Sequence, residues 1–371
     1  MRAPTNRRRH GLAFVGFVVA SVLLSGAARP AYLQAPSTFA ARVAQLSERG
    51  GDFDFDNLIS NEKSYLHVIP ALHAARVTGG AYVGVGPDQN FSYVAQIRPT
   101  IAFVVDIRRD NMLLQLLFKA LFSMSATRVD YMSQLFGRPV PPVSADWRKA
   151  DVDRLAKYID ETPEVASVNR LRARVDAVIR SFGVPLSAKD LATIDRFHRK
   201  FIAEGLGLKF ESPAPAPKGY YPTYRELLFE TDREGHQWNF LASEDDFQFL
   251  RTLERRDLVV PVVGDLGGST AMNAISRMVS ARGERVSAFY VSNVEFYLSA
   301  DGKFQSFLGN VARLPHTERS IVIRSVFGGY RLRESVPGYY STSLVQPMDE
   351  LLTGFSNGRY KTYEDLLLLS R

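Results

Sequence analysis

Apolar positions fall into two patterns along this chain. Residues 62–76 carry apolar side chains at helical spacing (Tyr65, Leu66, Ile69, Leu72) and run into Gly79-Gly80, a stop signal for a helix. Residues 81–85 form a short continuous apolar run, followed by helical spacing over 88–97. A second run, 101–105, ends in Asp106, and residues 111–124 form a strongly apolar helix. Strand, helix, strand, helix at this spacing predicts a parallel sheet with helices on its faces. Strand character resumes at 258–263, 286–291 and 320–326, with 339–345 as an edge strand and 269–281 as a helix.

Between these blocks the pattern changes. From the proline-rich stretch at 138–142 to about 256 the periodicity is helical, with helices expected over 151–159, 165–179 and 188–203. The alternating prolines at 213–217 read as a stiff linker, and Thr223 with Glu226 three residues on reads as a capping box. The expected fold is α/β: a Rossmann-like, mainly parallel sheet in two parts, 28–139 and 257–371, interrupted by a helical insertion over 140–256.

The N-terminus has a separate character. Arg7, Arg8 and Arg9 precede an apolar run over 11–24, and Ser25-Gly26-Ala27 supplies small residues where a signal peptidase cuts. Residues 1–27 therefore read as a signal peptide. The alternative is an uncleaved signal-anchor, since the run approaches the length needed to cross a bilayer. The expected location is exported (periplasmic) or membrane-anchored, with membrane contact through this segment if it stays attached.

The formal charge of +7 changes meaning in this light. Beyond residue 27 the chain has 42 basic and 39 acidic residues, which gives no clustered basic surface for nucleic acid. The chain has no cysteine, which removes disulfides, thiolate metal sites and thiol catalysis. The histidines show no metal-ligand spacing. The alternating acids at 52–56 lack the glycine and the terminal glutamate of a calcium loop. No Gly-x-Ser-x-Gly elbow is present, which argues against the common hydrolase pattern.

The sharpest motif is Gly80-Ala81-Tyr82-Val83-Gly84-Val85-Gly86-Pro87-Asp88, a glycine turn between the first strand and its helix. Such a turn lets a ligand approach the backbone, and the next helix directs free N–H groups toward it. Asp106, at the next strand tip, is placed to accept hydrogen bonds from both ribose hydroxyls. The alternative is a glycine turn needed for packing, with Asp106 capping a helix. The dinucleotide fingerprint fails because Gln89 stands at its third glycine, and no P-loop lysine follows.

These residues resemble class I S-adenosylmethionine-dependent methyltransferases, over residues 60–125 and 257–330, in an uncharacterised bacterial branch. Gly84 and Gly86 match that family's first motif, Asp106 its second, and Asp265, in Val262-Val263-Gly264-Asp265-Leu266, its third. Two positions depart from it: Tyr82 replaces the usual acid, and Asp88 replaces a frequent third glycine. The resemblance implies S-adenosylmethionine as cofactor, held by Gly84, Gly86, Asp88, Asp106 and Asp265. It implies that Asn293 and Glu295, at the fourth strand tip, orient the nucleophile. Ser292 and Glu295 also fit a capping box, and Ser60-Asn61-Glu62 reads either as a cap or as a cover over the cofactor. The implied partner is a small nucleoside-type ligand. The rival expectation is an exported or tethered binding or scaffold protein that keeps the fold without catalysis, because S-adenosylmethionine is not expected outside the cytoplasm.

Overall fold

The order in which the strands pair, which one sequence does not reveal, decides where a ligand can sit. In a computed structural model the six strands form one sheet in the order β3-β2-β1-β4-β5-β6. The structure describes residues 38–51, 57–142, 144–211, 221–328, 330 and 332–368. Residues 1–27, expected as a targeting segment, the acids at 52–56 and the prolines at 213–217 lie outside these residues. Residues 37–371 form one compact unit.

The chain begins with α1 (Phe39–Leu46), capped by Thr38. A 3₁₀ turn (Lys63–Val68) and α2 (Ile69–Ala74) follow, where the spacing predicts one helix. Pro70 explains the break: it has no N–H to give to the preceding turn, so the α-helix can only start there. Then come β1 (Ala81–Val85), α3 (Gln89–Ile97), β2 (Ile101–Asp106) and α4 (Arg109–Met124).

The next stretch is helical throughout its described residues: α5 (Arg128–Leu135), α6 (Ala145–Lys149), α7 (Val152–Glu161), α8 (Val168–Ser181), α9 (Ala188–Glu204), α10 (Tyr224–Leu228) and α11 (Glu244–Arg255). One isolated antiparallel bridge, Lys209 with Thr223, interrupts it. Thr223 and Glu226 make the expected capping box.

The second block supplies β3 (Val259–Val263), α12 (Ala271–Ala281), β4 (Val286–Ser292), α13 (Val294–Ala300), α14 (Phe304–Arg313), β5 (Ile321–Phe327), β6 (Ser341–Pro347), α15 (Met348–Ser356) and α16 (Tyr363–Leu368). All neighbouring strands are parallel except β5 and β6. Pro261 is tolerated in β3 because β3 is an edge strand, where the missing N–H breaks no ladder.

The three strands β1, β2 and β3 are buried along their length, which is why they read as unbroken apolar runs. Helix α4 is almost wholly buried, because β2 and β3 cover one side and α8, α9 and α11 the other. Its Lys119 is buried too. The ammonium pairs with Asp257 at 2.8 Å and Glu254 at 3.5 Å and lies over the Phe39 ring at 4.4 Å. The chain runs outward from β1 to β3, then crosses α12 to enter β4 on the other side of β1. The order therefore reverses between β1 and β4, and the crevice beyond the strand C-termini at that point is where open α/β sheets bind ligands.

Candidate functional site

Two fixed features shape the loop after β1. Gly86 has φ +85°, a left-handed conformation that favours glycine. The Asn90 side chain then ties the turn together, donating to the carbonyls of Val85 at 2.8 Å, Gly86 at 3.3 Å and Pro87 at 2.8 Å. Tyr82 donates to the Asn90 Oδ1 at 2.8 Å. That contact explains Gly84: a Cβ there would lie 2.0 Å from Asn90 Oδ1 and 2.6 Å from the Tyr82 hydroxyl. Gly84 thus makes room inside the loop and is not on the ligand side.

The loop forms one wall of a cleft of about 270 Å³ at the switch point. Gly86, Asp106, Asp265 and Asn293 all line it, so four residues singled out in the sequence meet in one place. Ser60 and Asn61 line it too, as do Phe210 and Tyr221, whose ring centroids lie 4.6 Å apart.

Three expected site residues lie elsewhere. Gly84 sits in β1 as described. Asp88 precedes α3 and lines a separate cavity of about 10 Å³ with Tyr65, Tyr224 and Asn239, where burial pushes its carboxyl up to about 7. Glu295 is fully buried on α13 and forms a two-point ion pair with Arg324, at 2.7 and 3.2 Å. The expected capping box at Ser292 is not formed. Asn293 is the cap residue of α13, with no side-chain cap bond, and Ser292 lies at φ +53° with its hydroxyl directed to Glu62. The pattern fails because both of its side chains find stronger long-range partners.

Asp106 is not the cap of α4 either; Arg108 holds that position. The Asp106 carboxylate accepts from the Arg108 backbone N–H at 2.9 Å and from its guanidinium at 3.0 and 3.2 Å. Asp265 accepts from the Gly267 N–H at 2.8 Å and from Lys303 at 2.7 Å, while Glu48 receives the Asp265 N–H at 2.8 Å. The ion pair raises the Lys303 ammonium above its ordinary value. Asp106 and Asp265 are therefore each matched by a cation that also lines the cleft. Sequence reasoning missed both: Arg108 lay two residues from Asp106, while Lys303 carries no local signal.

The Ser60-Asn61-Glu62 segment, expected as a cap or a cover over the cofactor, places Ser60 and Asn61 in the cleft lining and Glu62 behind it, with partners that its local sequence does not mark. Ser60 accepts the Glu62 N–H at 3.0 Å, and Glu62 is 0% exposed. Its carboxylate accepts from the Tyr290 hydroxyl at 2.6 Å and from the hydroxyls of Ser292 and Ser325. Burial raises its pKa, and the three hydroxyls oppose that shift. Among the described residues no group of three or more acids and histidines is placed to hold a metal.

Fold and cleft together define a mixed α/β protein with a mostly parallel sheet and, at its switch point, a largely apolar crevice that holds a few charged groups. The family model described as a domain of unknown function (DUF7790) matches residues 57–140 and 199–368, and the chain belongs to that family. No curated protein matches it. The matched stretches include every residue of the cleft and leave out 141–198.

Proposed function

We propose that the cleft binds an adenine nucleoside cofactor of the S-adenosylmethionine type, on a Rossmann-like sheet of the methyltransferase kind. The protein is then a methyltransferase-like enzyme. The observation that carries this reading is the meeting of Gly86, Asp106 and Asp265 in one crevice beside the β1/β4 reversal. An acid at the second strand tip suits ribose hydroxyls, and an acid at the third suits an adenine amine. The cleft volume lies near the lower end of small-ligand sites. Asn293 remains available to position a methyl acceptor, since methyl transfer depends on in-line placement; Glu295 has no such part. The segment over 1–27 gives an exported or membrane-anchored protein. No helix among the described residues is long and apolar enough to cross a membrane.

A second reading is favoured by one observation: Asp106 and Asp265 already hold cations. A cleft satisfied in this way fits a binding or scaffold protein that has kept the fold without the chemistry.

Asp106→Asn separates the two. It keeps an acceptor for the Arg108 N–H and removes the charge that ribose hydroxyls would use. Affinity for S-adenosylmethionine, read by calorimetry, should fall about ten- to a hundredfold, equivalent to roughly 1.5–3 kcal/mol. An unchanged affinity removes Asp106 from the ligand site.

A further inference from the structure

We propose that Ser292 is the nucleophile of an acyl-transfer site in this cleft, with Glu62 as its general base and carboxylic esters as the substrate class. The first observation is the backbone. Ser292 ends β4 at φ +53°, and the register with β5 shifts between Tyr290 and Ser292. A left-handed serine costs about 1 kcal/mol, and such conformations gather at functional sites. A sharp strand-to-helix turn of this kind raises a serine hydroxyl above the sheet edge. Here the turn is made without the flanking glycines that usually mark it, so no local motif announces it.

The second observation is the company of Glu62. A wholly buried carboxylate with no ion pair among the described residues costs several kcal/mol to keep charged. Three hydroxyl donors hold it, and a chain of serines extends behind them: Ser325 to Ser343 at 3.2 Å, Ser343 to Ser64 at 3.0 Å, and Ser64 to Ser341 at 2.8 Å. Of the three hydroxyls on the carboxylate, that of Ser292 alone belongs to a residue lining the cleft. The carboxylate therefore communicates with the cleft through the hydroxyl of Ser292. A structural role would not require an acid, because hydroxyls can satisfy one another. Burial that raises the Glu62 pKa also suits it as a base nearer neutral pH.

The chemistry closes on these groups. The Ser292 oxygen bonds to the ester carbonyl carbon while its proton passes to Glu62. The ester C–O bond then breaks, and the alcohol leaves with that proton. Water hydrolyses the acyl-serine by the same route in reverse, giving the acid and free serine. Asn61 and Asn293 also line the cleft and carry amide N–H groups of the type that hold a developing oxyanion. Val294, Tyr297 and Leu298 give an apolar wall for the acyl group. The step needs no cofactor, so it stands apart from the nucleoside reading and is compatible with export.

The test treats the folded full-length protein with an alkyl fluorophosphonate and, separately, with p-nitrophenyl acetate and butyrate. The expected result is a peptide adduct on Ser292 by mass spectrometry and a burst of p-nitrophenolate, both lost in Ser292→Ala. Glu62→Gln keeps one acceptor oxygen and offers an amide NH2 that a reoriented hydroxyl accepts, and it should slow labelling by roughly a hundredfold or more while the thermal midpoint stays close to wild type. No Ser292 adduct on the wild type overturns the proposal, as does labelling at full rate in Glu62→Gln. Should Glu62→Gln not fold, the wild-type adduct decides alone.

Discussion

Glu295→Ala should destabilise the protein by about 3–5 kcal/mol, the cost of leaving a buried charge without its partner. Arg324 is almost completely buried, and among the described residues its remaining side-chain hydrogen bond, once Glu295 is gone, is to Gln346 at 2.8 Å. The loss arises on the core side of α13, against β5, and should leave the cleft geometry intact. Replacing Glu295 and Arg324 together with leucine and methionine should recover most of the lost stability, because the desolvation of both charges disappears with them. Urea unfolding of the two variants checks this. A single variant that unfolds like wild type would mean that the ion pair is absent in solution.

Stability should fall as pH rises from 5 to 8. Asp88, ordinarily at 3.8, is pushed up to about 7 by burial. Glu254, ordinarily at 4.5, reaches about 7 because burial outweighs the nearby Lys119. A carboxyl whose folded pKa is raised contributes fully below its unfolded value, and the contribution is lost as pH climbs through the folded value. Between pH 5 and 8 each group costs roughly 2.5 kcal/mol, the rest of its shift being lost between its unfolded value and pH 5. At the acid end Asp190, lowered to about 2 by Arg109, works in the opposite direction, so stability also declines below about pH 4. Asp88→Asn keeps an acceptor for the Tyr224 hydroxyl and removes the buried charge. Its thermal midpoint should exceed that of wild type at pH 8 and change less between pH 5 and 8. Equal slopes for the two proteins would place the pH dependence elsewhere.

Much of this architecture was legible because buried parallel strands need apolar side chains on both faces. All six strands stand out for that reason or, in β6, as an edge run, and the acids of Asp106 and Asp265 mark strand tips. Strand order is not written in such runs, so the reversal beside β1 emerged only in three dimensions. The misreadings have two physical causes, long-range partners and local packing. Ser292 and Glu295 have the spacing of a local cap, but their partners, Glu62 and Arg324, come from distant segments whose approach no local spacing records. Gly84 and Asp88 sit in the right motif for reasons of packing: one clears space for Tyr82 and Asn90, and the other closes a small cavity against Tyr224. Of the three motif residues expected at the cofactor, Gly86 lines the cleft, between Val85 and Pro87, and Gly84 and Asp88 do not.

The central claim is that the crevice at the β1/β4 reversal takes an adenine nucleoside. Calorimetric titration of the full-length protein with S-adenosylmethionine, followed by displacement with S-adenosylhomocysteine, tests it most directly. One-to-one binding in the micromolar range, weakened in Asp106→Asn, is the predicted result. No heat of binding at millimolar S-adenosylmethionine, from protein shown to be folded, would contradict the claim and leave the scaffold reading.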